Sequence, residues 1–260
     1  MTLIKLLIIL CSISYLVDCE TDPNFHMPFN GAFYNLTLSN LSSKYQLHII
    51  EQRPNTSDRR LDKYIHLNTV LRNTTYNGDN GSAEIIVDTQ ATFQTQTNFK
   101  RTELVRTVDI SGGCIFVRFS ILVEKEFSNS ELNYQIGFLE SHKGEVRIQQ
   151  AGLSSPEIRI LNESNPNAVI VSFPLEYGTY HNFGIQGNRT AFAYYYSMDD
   201  APLDRVGEAP FTKLDPELTA DGEVHFGLLS YMENHTPIEP DSLIFSGITI
   251  AETETTSAEG

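Results

Sequence analysis

Gly113-Cys-Ile-Phe-Val-Arg-Phe-Ser-Ile-Leu-Val-Glu124 alternates like a β-strand. Ile115, Val117, Phe119, Ile121 and Val123 fall on one face, and Phe116, Arg118, Ser120 and Leu122 on the other. One face is wholly apolar and the other is mixed, which suits a central strand. Outward from it run short β-rich segments separated by Gly, Asn, Asp and Pro clusters. Expected strands before it are 33–38, 45–50, 64–70, 84–89 and 93–106. Those after it are 134–140, 145–149, 157–161, 169–173, 180–186, 191–198, 224–231 and 243–251. Gln186-Gly-Asn-Arg189 is a tight hairpin signal. Residues 199–223 carry Pro202, Pro210 and Pro216 and read as an irregular crossing at one end. The helix template is sustained nowhere beyond the first residues. The expectation is an all-β fold, a jelly-roll β-sandwich with one sheet left open as a groove.

The bulk properties narrow the function. A chain of 260 residues is long enough for one sizeable core. The net charge is −15, from 18 Lys and Arg against 33 Asp and Glu. Such a surface repels nucleic acid and anionic lipid, so neither is an expected partner. It suits a neutral polymer or a cationic partner, and a monomer is expected.

Lys5 followed by the apolar run Leu6 to Leu16 reads as a secretory signal, too short to span a bilayer. Val17 and Cys19 suit the −3 and −1 positions, giving cleavage before Glu20. The expected organisation is therefore a signal at 1–19, one domain at 20–251 and a polar tail at 252–260. That cleavage would remove Cys11 and Cys19. Cys114 would then stand alone as a small packed hydrophobe, with no disulfide in the mature fold. Eight sequons, at Asn35, Asn40, Asn55, Asn73, Asn80, Asn162, Asn188 and Asn234, point to an extracellular glycoprotein.

Three stretches concentrate groups that could do chemistry. Asn98-Phe-Lys-Arg-Thr-Glu-Leu-Val-Arg106 sends Arg101, Glu103 and Val105 to one strand face and Thr102 and Leu104 to the other. Tyr134-Gln-Ile-Gly-Phe-Leu-Glu-Ser141 ends an apolar strand with Glu140. Gly222-Glu-Val-His-Phe-Gly227 sets His225 inside a β-run. A solvated ion pair would account for the first stretch, and a structural histidine for the third. No His, Asp or Glu pair has convincing metal-ligand spacing, so neither metal nor cofactor is expected.

Six motifs agree in order with one family. Thr97-Asn-Phe-Lys-Arg-Thr-Glu-Leu104 resembles the Phe-Arg-Arg-Ala-Glu-Leu element of glycoside hydrolase family 131. Tyr134 to Ser141 resembles its Tyr-Gln-x-x-Phe-Leu-Glu-Ser strand, and Tyr180-His-Asn-Phe183 its Trp-His-Asn-Phe segment. Ala193-Tyr-Tyr-Tyr-Ser197 is similar to its Tyr-Ser strand, and Gly222 to Leu229 to its Gly-Glu-x-His-x-Gly run. Ile244-Phe-Ser-Gly-Ile-Thr-Ile250 is similar to its closing strand. The resemblance covers 92–251. It implies a secreted, fungal-type jelly roll of the concanavalin-like and polysaccharide-lyase-like kind. It also implies hydrolysis of β-linked glucans through β-1,3, β-1,4 or β-1,6 linkages. Its acidic pair would fall on Glu103 and Glu140, with Arg101, Gln135, His181 and His225 lining or supporting the groove.

Glycoside hydrolysis needs one carboxyl that gives a proton and one that attacks or activates water. Arg101 beside Glu103 would keep Glu103 ionised as base or nucleophile, leaving Glu140 as acid. Strand parity conflicts with this, because Glu140 shares a face with Tyr134, Ile136 and Phe138 while Gln135 faces away. A bulge would reconcile them.

The chain departs from the family in having no Trp: Tyr180 stands where the family has one, and Ser230-Tyr231 where it often has a Lys. Tyr134, Tyr194, Tyr196 and Tyr231 are candidates to stack on sugar instead. A non-catalytic glucan-binding or wall protein is the alternative on the same fold. A polysaccharide lyase would need a His where Gln135-Ile-Gly137 has glycine. A secreted protein binder would use the sandwich only as a scaffold.

Overall fold

The strand quoted first lies in the middle of the larger of two sheets. The structure is a computed structural model that describes residues 25–68, 70–108, 114–142, 144–162, 168–188, 191–210, 222–231 and 236–253. In chain order its strands are β1 (Phe25–Asn30), β2 (Ile65–Leu67), β3 (Ala83–Val87), β4 (Phe99–Val108) and β5 (Cys114–Leu122). There follow β6 (Asn133–Leu139), β7 (Glu145–Gln149), β8 (Glu157–Leu161), β9 (Val169–Pro174) and β10 (Tyr180–Asn188). The last are β11 (Ala191–Met198), β12 (Asp204–Pro210), β13 (Gly222–Tyr231) and β14 (Asp241–Thr253). The back sheet has the order β12-β11-β10-β5-β14-β3-β2, with β1 also paired to β14. The front sheet has the order β4-β13-β6-β7-β8-β9. These pairings are antiparallel.

The core lies between the sheets. Alternation on β5 sends Ile115, Val117, Phe119 and Ile121 inward, all buried. Phe119 meets Phe183 and Phe245 of its own sheet at 5.2 and 6.0 Å, and Phe226 of the front sheet at 5.6 Å. It also presses on Gly137, where a Cβ would lie 2.4 Å from its Cζ. A glycine is therefore required there, and the register of β6 against β7 shifts between Gln135 and Gly137. This bulge resolves the parity conflict. Ile136 stays in the core, while Gln135 and Glu140 both reach the groove.

Several expectations are corrected. Residues 33–38 and 45–50 form turns and a short helix (α1, His48–Glu51), not strands. Their apolar residues, Phe33, Leu36, Tyr45, Leu47 and Ile50, pack into the core without joining a ladder. Only Gln46 bridges to Val105, capping the edge of β4. The expected strand at 64–70 shrinks to β2, and β4 starts at Phe99 because the preceding residues turn. The stretch read as irregular contains β12, and β14 runs to Thr253, past the expected end of the domain.

Cys114 is disulfide-bonded in the full chain rather than a lone packed hydrophobe. Cys11 and Cys19 lie outside the described residues. The signal itself and the tail beyond Thr253 also lie outside the described residues, as does the tip of the hairpin at Arg189. Among the sequons, Asn35, Asn40, Asn55, Asn73 and Asn80 are exposed and Asn162 is half-buried. Asn188 ends β10, and Asn234 falls outside the described residues. No helix among the described residues is long and apolar enough to cross a membrane.

Candidate active site

The front sheet turns one face to the core and the other to a groove. Register puts Val105 beside His225, Glu103 beside Gly227 and Arg101 beside Leu229. On the other side of β13, His225 faces Phe138 and Leu229 faces Gln135. Val105, Phe138 and Leu229 are buried yet stand outside the main core cluster, as expected of a packed groove floor. Gly227 makes room for the carboxylate beside it. A Cβ there would sit 2.2 Å from the Thr102 carbonyl oxygen and 2.7 Å from Glu103 Cγ.

Glu103 is only 1% exposed, and its oxygens are occupied. Arg101 forks onto it, Nε to Oε1 at 2.7 Å and Nη2 to Oε2 at 2.6 Å. His225 Nδ1 meets the same Oε2 at 2.6 Å. The other ring nitrogen, Nε2, is also buried and lies toward the two carboxylates nearer the surface. It stands 3.0 Å from Glu140 Oε2 and 3.5 Å from Glu223 Oε2, at ion-pair distance without hydrogen-bond alignment. The Glu140 side chain is 61% exposed and that of Glu223 31%. Phe138 stacks on His225 at 4.6 Å and on His142 at 5.5 Å, which fixes the ring plane.

The charges of this chain set one another. Burial alone would raise the Glu103 carboxyl, but the Arg101 charge and His225 outweigh it and bring it down to about 2. Burial would likewise lower His225, yet contact with Glu103, Glu140 and Glu223 lifts it to about 10. His225 is therefore an imidazolium at neutral pH. Its ring nitrogen lowers both Glu140 and Glu223 against the opposing effect of burial. Glu140, Glu223 and His225 each present one ligand-type atom within 4.8 Å of the others.

Of the residues singled out in the sequence, Arg101, Glu103, Gln135, Glu140 and His225 come together in the groove. His181 does not. It sits on β10 of the back sheet, fully buried, with Nδ1 2.8 Å from the Tyr196 hydroxyl and Nε2 3.0 Å from the Glu176 carbonyl oxygen. Tyr134, Tyr194 and Tyr196 belong to the core, and only Tyr231 lines the groove. Tyr180 also lies on the back sheet, beneath Arg72 at 4.2 Å. The substituted Trp position is therefore not part of the groove. Glu103 does not fit an attacking role, since burial and its partners leave no oxygen facing the opening.

The sequence reading missed a second buried pair. Glu145 is fully buried on β7. Arg147 donates to its Oε1 from Nε at 2.6 Å and approaches with Nη2 at 2.5 Å. Gln135 Nε2 donates to its Oε2 at 3.1 Å. Arg147 also lies over the Tyr231 ring at 4.7 Å. The charged alternation in Glu145-Val-Arg147 was the available signal. Glu223 was likewise visible in the Gly222 to Gly227 run. The groove cavity is about 370 Å³, with Phe99, Phe138 and Tyr231 supplying aromatic surface.

A groove on a β-sandwich with carboxylates, arginines and a histidine at its floor can bind a polar ligand and supply acid–base chemistry. The family comparison makes the assignment specific: the profile of the glycoside hydrolase 131 catalytic N-terminal domain matches residues 27–256. The chain belongs to glycoside hydrolase family 131. The match extends well N-terminal of the stretch that carried the sequence motifs.

Among solved structures, a family 131 β-glucanase catalytic domain from Podospora anserina is 22% identical, covers 90% of this chain and all of its own, and superposes with a TM-score of 0.70. A family 131 catalytic domain from Coprinopsis cinerea is 20% identical over the same shares, with a TM-score of 0.67. An alginate lyase of polysaccharide lyase family 7 is 10% identical, covers 83% of this chain and 88% of its own, and reaches 0.51. These likenesses establish the jelly-roll fold. No curated protein matches the sequence.

Proposed function

We propose that this protein is a secreted β-glucanase whose acid–base unit is Glu140 with His225, positioned from beneath by Glu103. The observation that carries the reading is the line of contacts from the buried Arg101–Glu103 pair through His225 to Glu140 at the open groove. The His225 imidazolium keeps a proton at Nε2 on the groove floor. Glu140, ionised at rest, relays that proton only as the glycosidic bond breaks and the leaving oxygen becomes more basic than the imidazole, and the proton taken from water returns to His225 through Glu223. Glu223, also beside Nε2, is the second groove carboxylate and activates water or attacks the anomeric carbon. Glu103 stays ionised and holds the imidazole in place.

A neutral polymer suits the aromatic walls and the fixed carboxylates. A polyuronate lyase is disfavoured, since Gly137 stands where a lyase needs its histidine and is pressed against Phe119. Secretion is supported by the apolar leader and the exposed sequons.

The test is release of reducing sugar from β-1,3/1,6-glucan and β-1,4-glucan, with Glu140→Gln and Glu103→Gln in parallel. Wild-type activity lost in both folded variants is the expected result. Retention on insoluble glucan without hydrolysis would replace the reading with a binding module.

A further inference from the structure

The face of the back sheet turned away from the core carries a second cavity, of about 310 Å³, near the size of the groove cavity and within the range of small-ligand sites. Its floor follows from register. Tyr195, Gly184, Arg118 and Thr249 lie side by side on β11, β10, β5 and β14. Gly184 leaves a trough between Tyr195 and Arg118. A Cβ there would come within 2.7 Å of Phe116 Cε2, 3.1 Å of Tyr195 Cβ and 3.2 Å of Leu203 Cδ1. The next row sets Gln186 beside Phe116. The Tyr195 hydroxyl donates to Gln186 Oε1 at 2.7 Å, and the Tyr195 and Phe116 rings meet at 5.3 Å.

Tyr76 closes the cavity from a loop, and its neighbour Asn77 donates to the Gly247 carbonyl oxygen at 2.7 Å. Arg118 points the chemistry toward a ligand. Its guanidinium lies 5.1 Å from the Phe116 ring, and its buried Nε has no acceptor among the described residues. Arg118 and Gln186 lining a cavity walled by three aromatic rings suit a ligand with hydroxyl acceptors and apolar C–H faces. The strongly acidic chain disfavours a polyanion.

We infer that this cavity is a second carbohydrate site, which holds a neutral pyranose residue of the polymer while the groove works on another stretch. That the polymer is a β-glucan rests on the proposed function; the preference for a neutral pyranose does not. Tyr195 and Tyr76 stack on the ring faces. Arg118 and Gln186 bind hydroxyls.

The test titrates the Glu140→Gln protein, which leaves oligomers uncut, with hexaoses of β-1,3-glucan, β-1,4-glucan and β-1,4-mannan, and with a hexaglucuronate. Two binding events are expected for a glucan hexaose. Arg118→Met or Tyr195→Ala should remove one of them, weakening that site about tenfold or more at unchanged melting temperature. The same variants in the active protein should lower retention on insoluble glucan and leave cleavage of short soluble oligomers within about twofold. Should Tyr195→Ala fail to fold, Arg118→Met decides.

Two events with mannan and none with glucan, still sensitive to Arg118, would uphold this site and sink the glucanase reading. A single event in the parent, two events indifferent to both variants, or preference for the hexaglucuronate would overturn the site.

Discussion

The groove contains the same small device twice. Arg101-Thr-Glu103 and Glu145-Val-Arg147 each place an arginine and a glutamate two residues apart on one strand face. Both carboxylates are buried and both arginines hold them. Their surroundings differ. Glu103 passes its charge to His225 and through it to the exposed Glu140 and Glu223. Glu145 is instead bound by Gln135, its arginine lies over the Tyr231 ring, and its one outward contact among the described residues is His142 Nδ1 at 3.6 Å. The first pair reaches two groove carboxylates through a buried histidine in close contact, and the second reaches a single partly exposed histidine at a longer distance. A buried ion pair is therefore not by itself a sign of catalysis, and its outward connection is the informative feature.

The largest effect should separate the two pairs by activity. Glu140→Gln and Glu103→Gln should each lower glucan hydrolysis by about 10²- to 10⁴-fold, the usual range for a lost acid–base group. Glu145→Gln should cost stability, about 3–5 kcal/mol for a broken buried pair. Its activity, measured while it remains folded, should stay within about tenfold of wild type. Equal losses of activity in Glu103→Gln and Glu145→Gln would erase the distinction.

Next in size is a dependence on pH that belongs to the first pair. Glu103 is held at about 2 against an ordinary 4.5, so its contribution is present above about pH 4.5 and fades as pH falls toward 2. His225 is raised to about 10 from an ordinary 6.5. Its contribution is complete below 6.5 and is lost as pH rises through 10. The network should thus stabilise most between about pH 4.5 and 6.5. Melting temperatures of wild type and His225→Gln should differ most in that window and converge toward pH 10. A gap that stays constant from pH 5 to 10 would mean that His225 is not held charged.

Much of this was legible in the sequence, for physical reasons that also explain the gaps. The inward face of β5, the strands from β6 to β11, and the meeting of Arg101, Glu103, Gln135, Glu140 and His225 follow from alternation and a few motifs. The bulge that lets Gln135 and Glu140 share the groove could be named only as a requirement, because its cause is contact between Gly137 and the distant Phe119. Residues 33–50 misled because apolar spacing reports burial, and these residues are buried by packing rather than by pairing. His181 sits in a motif shared with the family, but as a core residue of the other sheet.

A smaller effect concerns the missing tryptophan. Tyr180→Trp restores the family residue, yet position 180 lies under Arg72 on the back sheet. Hydrolysis of soluble oligomers should change by less than about twofold, as for other substitutions remote from a site. A several-fold gain would show that the back sheet tunes the groove.

The smallest expected effect is none. Glu140, Glu223 and His225 have the spacing of a metal-holding group, and Glu103 behind Nδ1 resembles the carboxylate that orients a ligating histidine. A metal would need a lone pair on Nε2. The three carboxylates raise His225 to about 10 and so keep a proton on that atom. Binding a cation would first require removing that proton in a site the acids have made favourable to it. Prolonged chelation should therefore leave both hydrolysis and melting temperature unchanged at pH 5 to 7. Activity lost to chelator and restored by one divalent ion would show a neutral His225, and the first pair would then be wired to a metal rather than to a proton.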